Sequence, residues 1–281
     1  MSAIVFGLLA ALSWGASAVV GTRLVRLVGT WTSIAATMLI GLAVVSPFAA
    51  AADFPEAPLR NWVYAIVSGL CYVSASTCWL LAVRYGKVSV VTPIVSTDGA
   101  TAALIVVAAY GETLRAGVAV ALAVIVAGVV TASIRRDLDE GTRFTGRELG
   151  LSLASAGIFG FAFVASAQAQ EGLGVVWTLA ASRITAVALL VPVALVLGGL
   201  RLPRSGIPFA IGMATLDLGG YAAFLAGVPA SVAITSVLAS QYAIVAVVGG
   251  FLALGERLTR LQTAGVVLTV AGVAALAALR A

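Results

Sequence analysis

Histidine is absent from this chain of 281 residues, and cysteine and lysine nearly so: only Cys71, Cys78 and Lys87 are present. Without histidine the usual metal ligand and the usual proton relay near neutral pH are missing, so any proton coupling falls to carboxylates. A His-Glu-x-x-His metal site is excluded, and so is a Ser paired with a His base. Lys87 lies in a loop, away from any apolar span, so an enzyme is not expected, nor a metal or cofactor. There is no P-loop, and the chain alone cannot be an ATP-driven pump. Cys71 and Cys78 stand on one apolar stretch, where a single helix holds them too far apart to bridge. They say nothing about redox compartment.

Charge is scarce as well. Charged residues make up 10% of the chain against 62% hydrophobic, and the mean hydropathy is +1.13. No soluble domain of this length needs such a composition. About 20 apolar residues cross a hydrocarbon core roughly 30 Å thick, so the chain has room for about ten short-looped spans and little else. Charge-free windows, punctuated by Gly, Pro and charged clusters, place them near 3–21, 30–51, 61–83, 88–110, 115–134, 148–169, 174–199, 206–226, 229–253 and 260–279. Thr145 with Glu148 and Thr259 with Gln262 have capping-box spacing and open the sixth and tenth spans. The pI near 9.7 does not point to nucleic acid, because the arginines occupy short gaps between apolar runs. Ala16-Ser17-Ala18 resembles a signal cleavage site, but no basic region precedes its apolar stretch, which reads as the first span.

The longest polar stretch, Arg135 to Arg147, divides the chain nearly in half, and the halves repeat. Gly111-Glu112-Thr113-Leu114 recurs 144 residues later as Gly255-Glu256-Arg257-Leu258. The same displacement carries Ala121 to Gly265 and Gly128 to Gly272, small residues that read as a helix-packing seam. Trp31-Thr32 recurs as Trp177-Thr178, and Trp14-Gly15 as Phe159-Gly160. Each half therefore holds five helices. Five is odd, so the second half crosses in the opposite sense, giving an all-α integral membrane protein of two inverted five-helix repeats. The units are residues 1–134, an inter-repeat loop 135–147, and 148–281.

In these residues the chain resembles the drug/metabolite transporter superfamily, EamA type. The resemblance covers nearly all of it and is densest from Val83-Arg84-Tyr85-Gly86 through Gly111-Glu112-Thr113-Leu114 to Gly128, and from Ala226 through Gly255-Glu256-Arg257-Leu258-Thr259 to Gly272. It implies ten helices in two repeats and export or exchange of amino acids, other metabolites or toxic compounds, without specifying a substrate. The family often carries an Arg in the second helix of a repeat. Arg183 fits that place in the second copy, whereas the first copy has Thr37.

A charged side chain at mid-helix costs at least about 2.5 to 3.5 kcal/mol in a membrane, so each needs a reason. Asp98, Arg183 and Asp217 qualify, with Arg183 roughly 13 Å deep along its helix. Either they pair with one another and hold helices together, or they line a polar cavity, Arg183 facing a carboxylate and Asp98 or Asp217 an amine or a proton. Ser96-Thr97-Asp98 is displaced by 144 onto Ser240-Gln241-Tyr242, a polar trio at one depth in equivalent helices. Tyr72, Ser76 and Trp79 share a helix face, and a displacement of 145 takes them to Asp217, Tyr221 and Phe224. With Trp14, these aromatics either pack between helices or present flat surfaces to a substrate. Glu112 and Glu256 sit at helix ends, where the dipole of the next helix stabilises a carboxylate without any further role. Pro93 and Pro192 are expected to bend their helices.

These features point to a secondary transporter in a bacterial-type inner membrane, its partners a small-molecule substrate and the lipid bilayer. Proton exchange and facilitated diffusion both remain open, as do monomer and homodimer. The alternative is a membrane assembly or lipid-interacting protein without turnover. One set of loops holds Arg23, Arg26, Arg84, Lys87, Arg135, Arg136, Arg143, Arg147, Arg201, Arg204, Arg257 and Arg260, and the other only Arg60, Arg115 and Arg280. The positive-inside rule puts the first set in the cytoplasm and both termini outside, although many relatives are thought to keep theirs inside. A C-terminal reporter that works only in the cytoplasm is therefore expected to be silent, and a strong signal from it would reverse the orientation.

Overall fold

The computed structural model describes residues 2–110, 116–133, 145–196, 200–230 and 232–278. The motif Gly111 to Leu114, with Glu112, and most of the inter-repeat loop lie outside these residues. The first half forms α1 (Ser2–Val28), α2 (Thr30–Ala51), α3 (Leu59–Tyr85), α4 (Val88–Val95), α5 (Asp98–Tyr110) and α6 (Ala116–Ser133). The second forms α7 (Gly146–Val196), a 3₁₀ turn at Arg204–Gly206, α8 (Ile207–Gly227), α9 (Val232–Ala239), α10 (Tyr242–Leu254) and α11 (Arg260–Ala278). No strand occurs among the described residues.

Among the described residues, five stretches are long and apolar enough to cross a membrane: α1, α2, α3, α7 and Arg204–Gly227. At 51 residues, α7 would be about 76 Å long if straight, far more than one crossing needs. Gly174 divides it. Its φ of 66° and ψ of 179° suit a residue without Cβ, so the chain turns there into a second limb. At the start of the first limb, Thr145 forms the expected capping box: its N–H donates to Glu148 Oε2 at 2.7 Å, its hydroxyl meets the same oxygen, and the Arg147 N–H donates to the Thr145 hydroxyl at 3.3 Å. Of the second expected box, the Gln262 side chain lies outside those described.

The fourth and ninth spans depart from the continuous helices expected. Each is broken, at Ser96-Thr97 and at Ser240-Gln241, 144 residues apart. Both breaks tighten the helix in the same way: Thr97 N–H reaches the Ile94 carbonyl and Gln241 N–H the Leu238 carbonyl, three residues back rather than four. Ser96 has φ −65° and ψ −1°, Gln241 φ −71° and ψ 0°. Pro93 lies one turn before the first break, but the equivalent position in the second copy is Val237. Proline is therefore not the common cause. What the two copies share is a glycine pressed against the break. A Cβ on Gly15 of α1 would lie 2.4 Å from Val245 Cβ and 2.8 Å from the Tyr242 carbonyl, and one on Gly160 of α7 would lie 2.7 Å from Thr101 Cβ and 2.8 Å from the Asp98 carbonyl. Pro192 lies inside the second limb of α7, where the only non-helical backbone is at Gly174.

Packing between helices runs through small residues, since without water between helices close van der Waals contact supplies the association. The expected seam is one example. A Cβ on Gly128 of α6 would come within 2.9 Å of the Gly265 carbonyl and 2.5 Å of the Thr269 N in α11. At the basic end, Arg26, Arg84 and Arg201 line one shallow groove, Arg26 donates to the Gly86 carbonyl, and Lys87 to that of Arg257. Glu256 was expected beside its own following helix, α11. Instead it crosses to α4, accepting from the N–H groups of Val88 at 3.1 Å and Ser89 at 3.0 Å and pairing with Arg26 at 3.2 Å. Gly255, with φ 65°, ends α10 in the left-handed region and turns the next residue that way. The opposite end carries an aromatic cluster of Phe54, Trp62 and Trp177, with Trp177 bonded to the Asp53 carbonyl.

Gly15→Ala is expected to cost about 1 to 3 kcal/mol, because the new methyl meets backbone and a β-branched side chain that cannot swing away. Gly157→Ala, whose Cβ meets nothing within 4 Å, is the control and should be neutral or slightly stabilising. Thermal unfolding of the purified protein in detergent measures both.

Candidate functional site

Three contacts at the centre of the bundle join residues that the repeat makes equivalent. Met38 of α2 lies against Arg183 of α7, with Sδ 2.7 Å from Nη1. Tyr72 of α3 donates its hydroxyl to Asp217 Oδ1 of α8 at 2.5 Å. Tyr242, at the start of α10, donates to Asp98 Oδ2, at the start of α5, at 3.0 Å. The sequence separations are 145, 145 and 144. A residue touches its own equivalent only beside the axis that relates the two copies, so these six side chains mark that axis. In this helix the displacement is 146 by Trp31-Thr32 and Trp177-Thr178 and 145 by the contact, so Thr37 and Met38 share the place equivalent to Arg183, and it is Met38 that touches the guanidinium.

Each repeat supplies one Tyr and one Asp, and they bond crosswise. The chemistry around the two carboxylates nevertheless differs. Asp217 has a cation: Arg183 Nη2 lies 2.6 Å from Oδ2, with the guanidinium 5.1 Å from the centre of the Tyr72 ring and 5.9 Å from that of Tyr221. Those rings offer the cation their π faces, a further attraction in a desolvated place. Arg183 is 1% exposed, a burial tolerable only with a counter-charge. Trp14 Nε1 completes the setting by donating to the Asp217 backbone carbonyl at 3.2 Å.

Asp98 is equally buried, at 1% exposure, but among the described residues no Lys or Arg pairs with it. Its donors are neutral: the Tyr242 hydroxyl and, at 2.6 Å, the N–H of Gly99. The positive end of α5 helps by about 0.3 to 1 kcal/mol, at most about 2, whereas taking a carboxylate out of water costs several. The on-axis cluster thus holds two carboxylates and one cation.

A cavity of about 60 Å³ opens beside these groups. Of the residues expected at a site, Trp14, Tyr72, Ser76, Trp79, Asp98, Asp217 and Tyr242 line it. Arg183, Tyr221 and Phe224 stand behind this wall. Tyr221 stacks on Tyr72 at 5.0 Å, and Phe224 packs on Phe163 at 4.9 Å and Trp14 at 5.9 Å. Ser96, Ser240 and Gln241 form the helix breaks rather than the wall, with the serine hydroxyls bonded to the carbonyls of Pro93 and Ser236. Sequence reasoning missed Phe159 and Phe163 of α7, Met213 of α8 and Thr92 of α4, all of which line the cavity. Phe159 was legible as the repeat partner of Trp14; Phe163 and Met213 carry no polar signal that separates them from core, and Thr92 is one of many hydroxyl residues along the spans.

The sequence profile of the EamA-like transporter family matches residues 1–134 and again 147–278. The chain is a two-repeat, multi-pass membrane transporter of the drug/metabolite class, and it belongs to the EamA-like family. A solved crystal structure superposes on it with a TM-score of 0.71 at 18% identity, covering 99% of this chain and 97% of that one, a likeness of fold. A search among curated proteins finds no match.

Arg183→Met should leave Asp217 buried without its cation and cost about 3 to 5 kcal/mol of stability. Adding Asp217→Asn should recover much of that loss, because the uncompensated charge goes with it. Unfolding of the single and double variants in detergent measures the coupling, and additive losses would show that the ion pair is not what Arg183 contributes.

Proposed function

We propose that the chain is a secondary carrier of a small organic metabolite, working by alternating access around the on-axis cavity. In this reading ten segments cross the membrane, with each of the broken pairs α4–α5 and α9–α10 counted as one and the two limbs of α7 as two, and the halves run in opposite senses. The observation that carries the reading is the meeting of repeat equivalents at one mainly apolar cavity that holds two carboxylates and is lined by both halves. Inverted-repeat carriers hold cargo where their repeats meet, often at discontinuous helices.

The cavity supports a moving rather than a static site. Pockets for small organic ligands run to about 300 to 1,000 Å³, so about 60 Å³ has room for little beyond water until the halves separate. Rocking one half against the other would open it toward each side in turn, and the Glu256 clasp on α4 and Arg26 would have to part whenever the basic end opens. That end faces the cytoplasm of a bacterial-type cell, by the positive-inside rule. The units are the repeats 1–134 and 148–281, joined by 135–147. Export is the direction the resemblance favours, with proton exchange as one possible drive, and no step of this cycle calls on catalysis or a cofactor.

Reconstitution into liposomes with labelled amino acids and cationic dyes, with and without a pH gradient, tests this. Saturable flux of at least one compound is expected, reduced at least tenfold by Asp217→Asn. Absence of flux across the panel, with Asp217→Asn indistinguishable from wild type, would favour a membrane assembly without turnover.

A further inference from the structure

The cavity's charge specifies what enters it. Arg183, the one cation of the on-axis cluster, is spent on Asp217 and stands behind Tyr72, off the cavity wall. It is not placed to receive a carboxylate. Asp98, by contrast, is on the wall, buried, and held by the neutral donors Tyr242 and Gly99, with no charged partner among the described residues. Each of its oxygens has a further lone pair for an ammonium N–H. The elements around it offer no free cation among the described residues: α4, α9 and α10 carry no charged side chain, Arg183 of α7 is paired with Asp217 of α8 so that the two cancel, and Tyr72 and Tyr242 are neutral hydroxyls. Trp14, Tyr72, Trp79, Phe159, Phe163 and Tyr242 complete the wall. Aromatic faces around an unpaired carboxylate attract an organic cation twice, through the carboxylate and through the rings.

We propose that the cavity selects an organic ammonium ion with an apolar, preferably aromatic body, and that Asp98 is its counter-charge. This rests on the carrier reading for the route by which the ligand enters, but concerns binding. The same asymmetry disfavours a free carboxylate on the ligand, so a zwitterion is bound less well than the amine that lacks it.

The test uses three ligands of one ring and similar length: 2-phenylethylammonium, phenylalanine and 3-phenylpropanoate. They are titrated by calorimetry into the purified full chain in detergent. The ammonium ion is expected to bind at least tenfold more tightly than the zwitterion or the anion, with the preference abolished by Asp98→Asn and kept by Asp98→Glu. Equal or tighter binding of phenylalanine or 3-phenylpropanoate to the wild type would overturn the proposal, as would binding of none, and neither result depends on a variant that must fold. An unchanged preference in a well-folded Asp98→Asn protein would also overturn it. Binding needs no turnover. Asp98-dependent capture without flux in liposomes would leave this inference standing and remove the carrier reading, whereas flux of 3-phenylpropanoate in preference to the amine would do the reverse.

Discussion

A guanidinium can sit in the middle of this apolar bundle only because a carboxylate lies 2.6 Å away, and much of the central architecture follows from that pair. Holding Arg183 against Asp217 fixes the second limb of α7 against α8. Asp217 then takes the hydroxyl of Tyr72 and so ties in α3, while the far side of the guanidinium rests on Met38 of α2. One ion pair with its bonded neighbours therefore spans both halves. In water such a pair would contribute little; in a low-dielectric interior neither partner can be left alone.

The frame built around this pair is nearly symmetric, and its decoration is not. Equivalent helices break at equivalent residues, equivalent glycines admit the broken backbone, and each half gives one Tyr and one Asp to the axis. The second half sets Arg183 beside Asp217, whereas among the described residues neither half sets a cation beside Asp98, and that difference leaves one carboxylate neutralised and the other not. A symmetric frame suits motion, because either end can close with similar packing. An asymmetric centre suits recognition, because it presents one unbalanced charge. The breaks place backbone that is not regular helix where it is buried in protein, the setting in which a membrane protein tolerates it.

The ends of the bundle are as unlike as its two carboxylates. Arginines gather on one end, and three aromatic rings with Asp53 on the other. This polarity is set by loop composition, which the repeat does not constrain, so two halves related by sequence are free to meet opposite sides of a membrane. Glu256 adds a contact of the same kind, joining the loop after α10 to α4 and α1 across the repeat boundary.

Hydropathy and the displacement of 144 to 145 were enough, by themselves, to determine an apolar helical chain in two copies, the capped start of α7, the seam of Gly128 and Gly265, and the identity of the buried charges. These are one-dimensional properties: period, run length and spacing. What lay beyond sequence was which residues meet. The helix breaks carry no shared breaker, since only one copy has a proline at that place, and each has a glycine of another helix pressed against it. That Arg183 faces Asp217 and not a cavity, that Met38 and not Thr37 opposes it, and that Glu256 caps α4 are all settled by distance in three dimensions. A repeat tells which positions are equivalent; only folding decides which equivalents lie close enough to the axis to touch.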